Sequence, residues 1–252
     1  MKKILLFLFL SSFCMQSQIL ESKPKIAIDS IPAPKKWHYE KFILPAFLIG
    51  YGVIGLESDE LKLFNSNIKE EVNENIDKKF TIDDFSQYLP AASVYGLNAL
   101  GIKGKHNFKD RSVILGTSYL LMTASVLSLK SIAKEQRPDG SAYNSFPSGH
   151  TATAFAGAEF LWQEYKDVSI WYGISGYLVA TGTGFFRIYN DRHWLTDVVA
   201  GAGFGILSTK VAYIISPYIQ KKIFPSKNKN TTSALAPFYN GNQMGIGFIR
   251  NF

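Results

Sequence analysis

Long stretches without a charged side chain constrain this sequence more than any other feature. Three of them run for 18 or 19 residues, close to the roughly 20 apolar residues that a helix needs to cross a bilayer. They are rich in Gly, Ala, Ser and Thr, as closely packed membrane helices are. The chain is therefore predicted to be an all-α, membrane-embedded helical bundle. The stretches are 85–102, 112–129, 168–186 and 198–220, the last interrupted by Lys210, and a further apolar run begins at Ser148 and contains Glu159.

The composition narrows the class of protein further. Aromatic residues make up 14% and charged residues 19% of the chain, a balance that excludes a disordered protein. The single cysteine excludes an intrachain disulfide and a thiolate zinc cluster. The net charge of +7 forms no continuous basic stripe and no nucleic-acid-binding motif occurs, so no nucleic-acid partner is expected. A mean hydropathy of +0.01 keeps a soluble all-α protein as the alternative.

The two ends of the chain differ from its middle. The N-terminus has the basic start and short apolar run of a signal peptide, and Cys14 within it is either a lipidation site or a residue discarded with the signal. The C-terminus predicts a small β-hairpin around Asn240 and Gly241. The predicted division is a signal peptide at 1–17, a linker at 18–41, a helical and acidic polar region at 42–84, a helical core at 85–222 and a tail with the hairpin at 223–252.

A first polar motif closes the 112–129 stretch. Lys130 and Arg137 lie seven residues apart, so a helix would put both on one face. Pro138 would then end that helix. Taken alone, the pair is equally consistent with two basic side chains that reach out of a membrane at a helix end.

A second motif, Phe146-Pro147-Ser148-Gly149-His150, opens the next apolar run. The backbone N–H groups at the start of a helix bind anions, and a glycine allows a ligand to approach closely. His150 lies at this position. A serine that caps the helix, followed by an incidental histidine, would give the same local pattern.

A third motif follows the 168–186 stretch and contains Arg187, His193 and Asp197. Because His193 and Asp197 are four residues apart, the two side chains can meet on one helical turn. A carboxylate on one ring nitrogen fixes the imidazole tautomer and leaves the other nitrogen free as a nucleophile. Within the core, Gly201 and Gly205 are also four apart and predict a close contact between helices.

Together the three motifs resemble the signature of the type 2 phosphatidic acid phosphatase superfamily (PAP2), which includes bacterial nonspecific acid phosphatases and vanadium haloperoxidases. That signature is Lys, six residues, Arg-Pro; then Pro-Ser-Gly-His; then Ser-Arg, five residues, His, three residues, Asp. Every block occurs here in the same order and spacing, with Phe186 in place of the serine. The resemblance covers about 112–218, and it implies a helical bundle of the acid phosphatase–haloperoxidase type.

The resemblance also implies a reaction. Lys130, Arg137 and Arg187 would hold a phosphate, together with the Ser148 hydroxyl and the N–H groups of Ser148 and Gly149. His193, oriented by Asp197, would attack phosphorus and form a phosphohistidine. His150 would protonate the leaving alcohol and then activate water. No metal or other cofactor is implied. His38 and His106 lie outside the motifs and are expected at the surface.

Topology predicts where this chemistry occurs. Two apolar helices separate the motif at 130–150 from the motif at 187–193, so the chain returns to the same side of the membrane. Basic segments at 103–111 and 221–229 each lie one crossing away, and the positive-inside rule puts them in the cytoplasm. The site would then face the periplasm from the inner membrane of a bacterial cell envelope. The substrate would be a phosphorylated lipid or a small phosphate ester. The alternatives are a soluble periplasmic nonspecific acid phosphatase and a membrane binding protein without catalysis; the oligomeric state is left open.

Overall fold

A computed structural model describes residues 39–74, 79–223, 232–239 and 244–251. The predicted signal peptide, Cys14, His38, nearly all of the linker and the residues between the two hairpin strands lie outside these ranges. The described elements are α1 (Glu40–Ile54), α2 (Asp59–Asn73), α3 (Asp83–Ser86), α4 (Leu89–Ala99), α5 (Phe108–Ala133), α6 (Gly149–Tyr165), α7 (Ile170–Tyr189), α8 (Leu195–Ile223), β1 (Thr232–Tyr239) and β2 (Met244–Asn251).

Several helices begin at a residue whose side chain caps them. Ser58, Asn107, Ser148 and Ser169 each accept a hydrogen bond from a backbone N–H in the first turn of the helix that follows. Such caps satisfy N–H groups that have no partner inside the helix, and they are worth about 1 kcal/mol each. The sequence therefore fixes the starts of α2, α5, α6 and α7 locally.

The bundle is organised around α6 and α8. α6 packs against α7 and α8, while α8 also packs against α1 and α5. The predicted close contact is confirmed: a Cβ on Gly201 would lie 2.5 Å from the Ser148 carbonyl oxygen, and a Cβ on Gly205 would lie 2.3 Å from that of Ala152. The two helices therefore approach each other backbone to backbone.

Two described helices, α5 and α8, are long and apolar enough to cross a membrane. The number of candidate spans rises to three if α1 and α2, which are bent by 94° relative to each other, together form one span. The stretch at 85–102 is not one helix: it contains the end of the four-residue α3 and the 11 residues of α4, which begins with Pro90 in its first turn. This corrects the expectation of a spanning length there. Glu159 does not interrupt α6, because it is buried against Lys210 at 2.8 Å and the Tyr177 hydroxyl.

The two strands occupy the positions at which the sequence predicts a hairpin. β1 pairs with β2 in antiparallel register, from Thr232 opposite Asn251 to Tyr239 opposite Met244.

The bundle has two polar ends. At the end that we call the far end, the loop 100–107 is held to the end of α6: Lys105 N–H donates to the Glu164 carbonyl at 3.0 Å, and the Tyr165 hydroxyl donates to that of Ile102 at 2.9 Å. His106 is partly buried there, with Nδ1 2.7 Å from the Glu164 carboxylate. The expectation of a surface His106 is therefore wrong, because a buried carboxylate needs a partner.

Candidate active site

The opposite end, which we call the site end, is formed by the loops 134–148 and 190–194. Lys130 lies in the last turn of α5, but the helix ends at Ala133, where Lys134 adopts a left-handed backbone with φ 48°. Arg137 therefore lies in the loop and not on the helix face that its spacing predicts. The loop has its own order, since Arg137 N–H donates to Ala142 O and Ser145 N–H to Glu135 O, both at 2.9 Å.

The two cations of the first motif converge on the same short segment. The Lys130 ammonium donates to the carbonyl oxygens of Asn144 and, at 3.2 Å, Ser145. Arg137 Nε donates to the Asn144 side chain at 2.9 Å. The turn at 144–145 therefore holds both charges close to the second motif.

His193 and Asp197 meet at the start of α8, as their spacing predicts. Their side chains are 2% and 1% exposed, and His193 Nδ1 lies 3.6 Å from Asp197 Oδ2. Ser145 joins them: its hydroxyl donates to Asp197 Oδ2 and lies 3.4 Å from His193 Nδ1. Asp197 Oδ2 also accepts the Trp194 N–H at 2.9 Å. The pair is thus a three-member group, and sequence analysis missed its middle member.

The start of α6 differs in one respect from expectation. Ser148 is fully buried, its N–H donates to the Asp197 carbonyl at 3.0 Å, and its hydroxyl lies 2.9 Å from that of Thr151. The Ser148 N–H is therefore engaged inside the protein, contrary to the predicted contact with phosphate. Gly149 is different, because the nearest atom to a Cβ built on it would be Val126 Cγ1 at 3.8 Å. Packing does not require a glycine at this position.

Arg187 of α7 is buried beneath these loops. Its terminal nitrogen pairs with Asp83, and Asp83 also accepts a hydrogen bond from Asn190 Nδ2 at 3.0 Å. Arg187 Nε is buried and has no hydrogen-bond partner among the described residues. One donor of this guanidinium is thus available to a ligand.

His150 also has an acidic partner that the sequence did not indicate. Its Nε2 lies 2.9 Å from Asp84 Oδ1. Asp83 and Asp84 belong to the region predicted to be acidic and polar, yet Asp83 is only 1% exposed. The correction has a simple reason: α3 lies against α6 and α7, so its two carboxylates face the cations of the site.

The charges at this end act on His193. Burial, followed by the positive charges of Arg187 and Lys130, holds the pKa of His193 well below its usual range. The imidazole is therefore neutral in the folded protein at neutral pH, as a nucleophile has to be.

One group in the described part of the chain has the geometry to hold a metal ion. Ligand atoms of Asp83, Asp84 and His150 lie within 4.8 Å of one another. Sequence analysis found no such group, because its members are far apart in the chain. All three already have partners: Asp83 pairs with Arg187, and Asp84 and His150 pair with each other.

The comparisons with known proteins agree with this site. The model of the PAP2 superfamily matches residues 111–221, which contain all three motifs. Lipid A 1-phosphatase of Porphyromonas gingivalis is 43% identical over 141 residues, which are 55% of this chain and 31% of that protein. The bacitracin transport permease protein BcrC of Bacillus licheniformis is 33% identical over 34% of this chain and 47% of its own length. The chain thus spans less than half of either relative.

Among solved structures, LpxE of Aquifex aeolicus is similar. It is 26% identical, with a TM-score of 0.46, and the match covers 60% of this chain and 95% of that one.

Proposed function

We propose that the chain is a phosphoric ester hydrolase that removes phosphate from lipid phosphate monoesters or diphosphates through a phosphohistidine, without a divalent metal. The observation that carries the proposal is the convergence of three cations on one neutral, buried imidazole. Lys130, Arg137 and Arg187 each lower the pKa of His193 electrostatically, so all three act at the same point. A phosphoryl group carries its negative charge on three oxygens and needs such a set of donors.

The cradle for the phosphate consists of side chains and one backbone group. Arginine suits phosphate because its planar guanidinium donates in a fork, and Arg187 Nε has a donor to spare. Gly149 N–H, at the start of α6, is the backbone donor that we assign to the phosphate. The open space at its Cα supports this assignment. We assign to Ser148 the placement of Gly149 and His150, because its own polar atoms are engaged inside the protein.

The first step is attack by His193 on phosphorus. Its Nδ1 faces Ser145 and Asp197, so Nε2 is the nitrogen that bonds to phosphorus. The P–O bond to the alcohol breaks as the P–N bond forms, and the Asp197 carboxylate stabilises the charge that develops on the ring.

His150 supplies the proton that the leaving alkoxide needs. Because Asp84 takes the Nε2 side of this ring, Nδ1 is the site of transfer. In the second step the neutral His150 takes a proton from water, which attacks the phosphohistidine and releases inorganic phosphate and free His193. His150 ends protonated, as it began. Burial and the charge of Arg187 lower the pKa of His150, against the opposing effect of Asp84, so the negative charge of the bound phosphate would be needed to favour this protonated form.

The apolar surface of the bundle favours a lipid substrate in a membrane. α5 and α8 have the length and composition of membrane spans, and one relative is named for the removal of phosphate from lipid A. Candidate substrates are phosphatidic acid, phosphatidylglycerol phosphate, polyprenyl diphosphate and lipid A. The predicted signal peptide and the basic sequence segments at 103–111 and 221–229 support an inner-membrane protein whose site end faces the periplasm.

Phosphate release from a panel of these lipids tests the proposal. Protein purified in detergent should release phosphate from at least one of them in excess chelator. Loss of activity in chelator that only a divalent ion restores would refute the metal-independent mechanism and would point to the group of Asp83, Asp84 and His150. Asp84→Asn is the matched control: this variant should release phosphate more slowly than the wild type, and added divalent metal should not change its rate.

The soluble acid phosphatase is tested separately. Carbonate washing of membranes should leave the protein in the pellet, whereas release into the supernatant would favour a soluble periplasmic enzyme. A protein that binds lipid phosphates but releases no phosphate from any of them would be the non-catalytic alternative.

A further inference from the structure

The start of α8 has an N-cap residue that cannot accept a hydrogen bond, since the Trp194 indole is only a donor. Within the segment, Asp197 accepts the Trp194 N–H at 2.9 Å. The Thr196 N–H is instead satisfied by Asn65 of α2, 131 residues away. Its side-chain oxygen accepts the Thr196 N–H at 3.3 Å, and its amide nitrogen donates to the Thr196 hydroxyl at 2.9 Å. One amide thus satisfies both the backbone and the side chain of Thr196.

This contact is buried and closely packed. Asn65 is 5% exposed and Thr196 is 2% exposed. α1 presses on the same residue, since a Cβ on Gly52 would lie 2.7 Å from the Thr196 carbonyl oxygen and one on Gly55 would lie 2.4 Å from its Cγ2. The helical pair α1 and α2 therefore leaves Thr196 little room to shift.

Thr196 is the immediate neighbour of Asp197. A rotation of the first turn of α8 would move the Asp197 carboxylate away from Ser145 and His193, on which the proposed attack depends. Asn65 is the described side chain that ties this turn to α2. α2 makes further contacts with the same end, where the Lys69 ammonium donates to the Pro138 carbonyl at 2.8 Å and lies 5.7 Å from the centre of the Trp194 ring.

We propose that Asn65 is a positioning residue for the nucleophile: it fixes the first turn of α8 and thereby aims Asp197 at His193. The inference rests on the proposed phosphatase function. It assigns part of the catalytic geometry to a helix outside residues 111–221, the segment that matches the family.

The test compares two asparagines on one helix. Asn65→Ala removes both hydrogen bonds to Thr196, whereas Asn67→Ala removes an exposed amide from the same helix and is the control. Asn65→Ala should lower kcat by about 10- to 100-fold, as small misplacements of reacting groups do, with KM nearly unchanged because the phosphate-binding cations stay. Rapid-quench trapping should give the same loss in the rate of phosphohistidine formation. Asn67→Ala should match the wild type in both.

A second variant separates hydrogen bonding from packing. Asn65→Leu with Thr196→Val replaces the polar pair by apolar side chains of similar volume, so it should stay folded in thermal unfolding while its kcat remains low. Wild-type kcat in the folded double variant, or in Asn65→Ala, would overturn the inference. A wild-type protein that releases no phosphate from any lipid of the panel would instead refute the proposed function.

Discussion

The two ends of the bundle each contain a buried carboxylate beside a histidine, yet they differ in what surrounds the pair. At the site end Asp197 and His193 lie 3.6 Å apart, and at the far end Glu164 and His106 lie 2.7 Å apart. Both carboxylates also receive a hydroxyl: Ser145 donates to Asp197, and Tyr213 donates to Glu164 at 2.7 Å. By residue type and contact alone, either pair has the parts of a catalytic dyad.

The difference lies in the partners that remain open. The Glu164 carboxylate accepts three hydrogen bonds, from Tyr213 and from both the ring and the backbone of His106. Each end has an arginine with one buried nitrogen that lacks a hydrogen-bond partner among the described residues, Arg187 Nε at the site end and Arg111 Nη1 at the far end. The carboxylates differ, because Asp197 Oδ1 is buried without such a partner. Buried polar atoms rarely stay unpaired unless a ligand or water meets them. A histidine–carboxylate pair is therefore a weak sign of function, and an unsatisfied carboxylate oxygen within it is a stronger one.

Removal of each histidine gives the largest expected contrast. His193→Ala should lower phosphatase activity by about 10⁴-fold or more, as loss of a nucleophile does, and no phosphohistidine should be trapped by rapid quench. His106→Ala should leave kcat per folded molecule unchanged and lower the free energy of unfolding, because Glu164 loses buried partners. A phosphoenzyme in His193→Ala, or equal loss of kcat in both variants, would contradict the distinction.

His150 should give the next largest effect, and one that depends on the substrate. His150→Ala removes the proposed proton donor, which is worth about 10²–10⁴-fold in rate for a lipid or alkyl phosphate. An aryl phosphate needs little protonation, so phosphohistidine should still form from it and then hydrolyse slowly. Rapid quench with both substrates is the measurement. Absence of phosphoenzyme from an aryl phosphate in a folded His150→Ala protein would show that the roles are assigned wrongly.

The two hydroxyls offer a smaller matched pair. Ser145→Ala should reduce kcat by about 10- to 100-fold, in the range typical of residues that orient a reacting group. Tyr213→Phe should change the free energy of unfolding by about 1–3 kcal/mol and leave kcat intact. Steady-state kinetics and denaturant unfolding on both variants measure this. A kcat effect for Tyr213→Phe as large as that of Ser145→Ala would place catalytic importance at the far end too.

The pH dependence that is due to His193 is the smallest of the expected effects, but it bears most directly on the mechanism. Because the folded pKa of His193 lies below 6.5, the ring stays neutral where an unfolded histidine would be protonated. Its contribution to the free energy of unfolding is then complete above about pH 6.5 and is lost progressively as the pH falls from about 6.5 towards the folded pKa. His193→Gln should lack this part of the pH dependence of thermal unfolding.

Catalysis should follow the same sign. The loss of kcat/KM on the acid side that is due to His193 should begin only below about pH 6.5. An acid limb centred at pH 6.5 or above in the free enzyme, together with an unchanged pH dependence of unfolding in His193→Gln, would contradict a neutral buried nucleophile.

Much of the site was accessible from sequence because its parts are local. Ser148 followed by Gly149 indicates a helix start, and α6 begins there. His193 and Asp197 do lie side by side, although His193 precedes α8, which begins at Leu195, and does not share a helical turn with Asp197. The prediction that Arg137 lies on the same helix face as Lys130 is wrong because the left-handed Lys134 ends α5 early. A lysine at this position gives no sequence signal for a helix end, since the left-handed conformation is typical of glycine.

What the sequence could not indicate depends on contacts between distant segments. Ser145 lies 52 residues from Asp197, Asp83 lies 104 from Arg187 and Asn65 lies 131 from Thr196. From its local sequence alone, Ser145 is an ordinary loop serine, Asp83 an ordinary polar acid and Asn65 an ordinary amide on a helix surface. Asn65 and Asp83 gain their partners only through the packing of α2 and α3 against the core, and Ser145 gains its partner through the fold of the loop 134–148.

The close approach of α6 and α8 has a consequence for the choice of substrate. His150 and His193, the two proposed catalytic histidines, lie beside helix starts that are joined main chain to main chain. The joining contacts are the hydrogen bond from Ser148 N–H to the Asp197 carbonyl and the close approach of Gly201 to the Ser148 carbonyl. Because these contacts involve backbone atoms, no change of side-chain rotamer can move the two helix starts apart. We therefore expect the spacing of the proposed acid and nucleophile to stay constant whatever alcohol is attached to the phosphate. Discrimination between one lipid and another then falls to the rim, where the loop 134–145 is largely exposed.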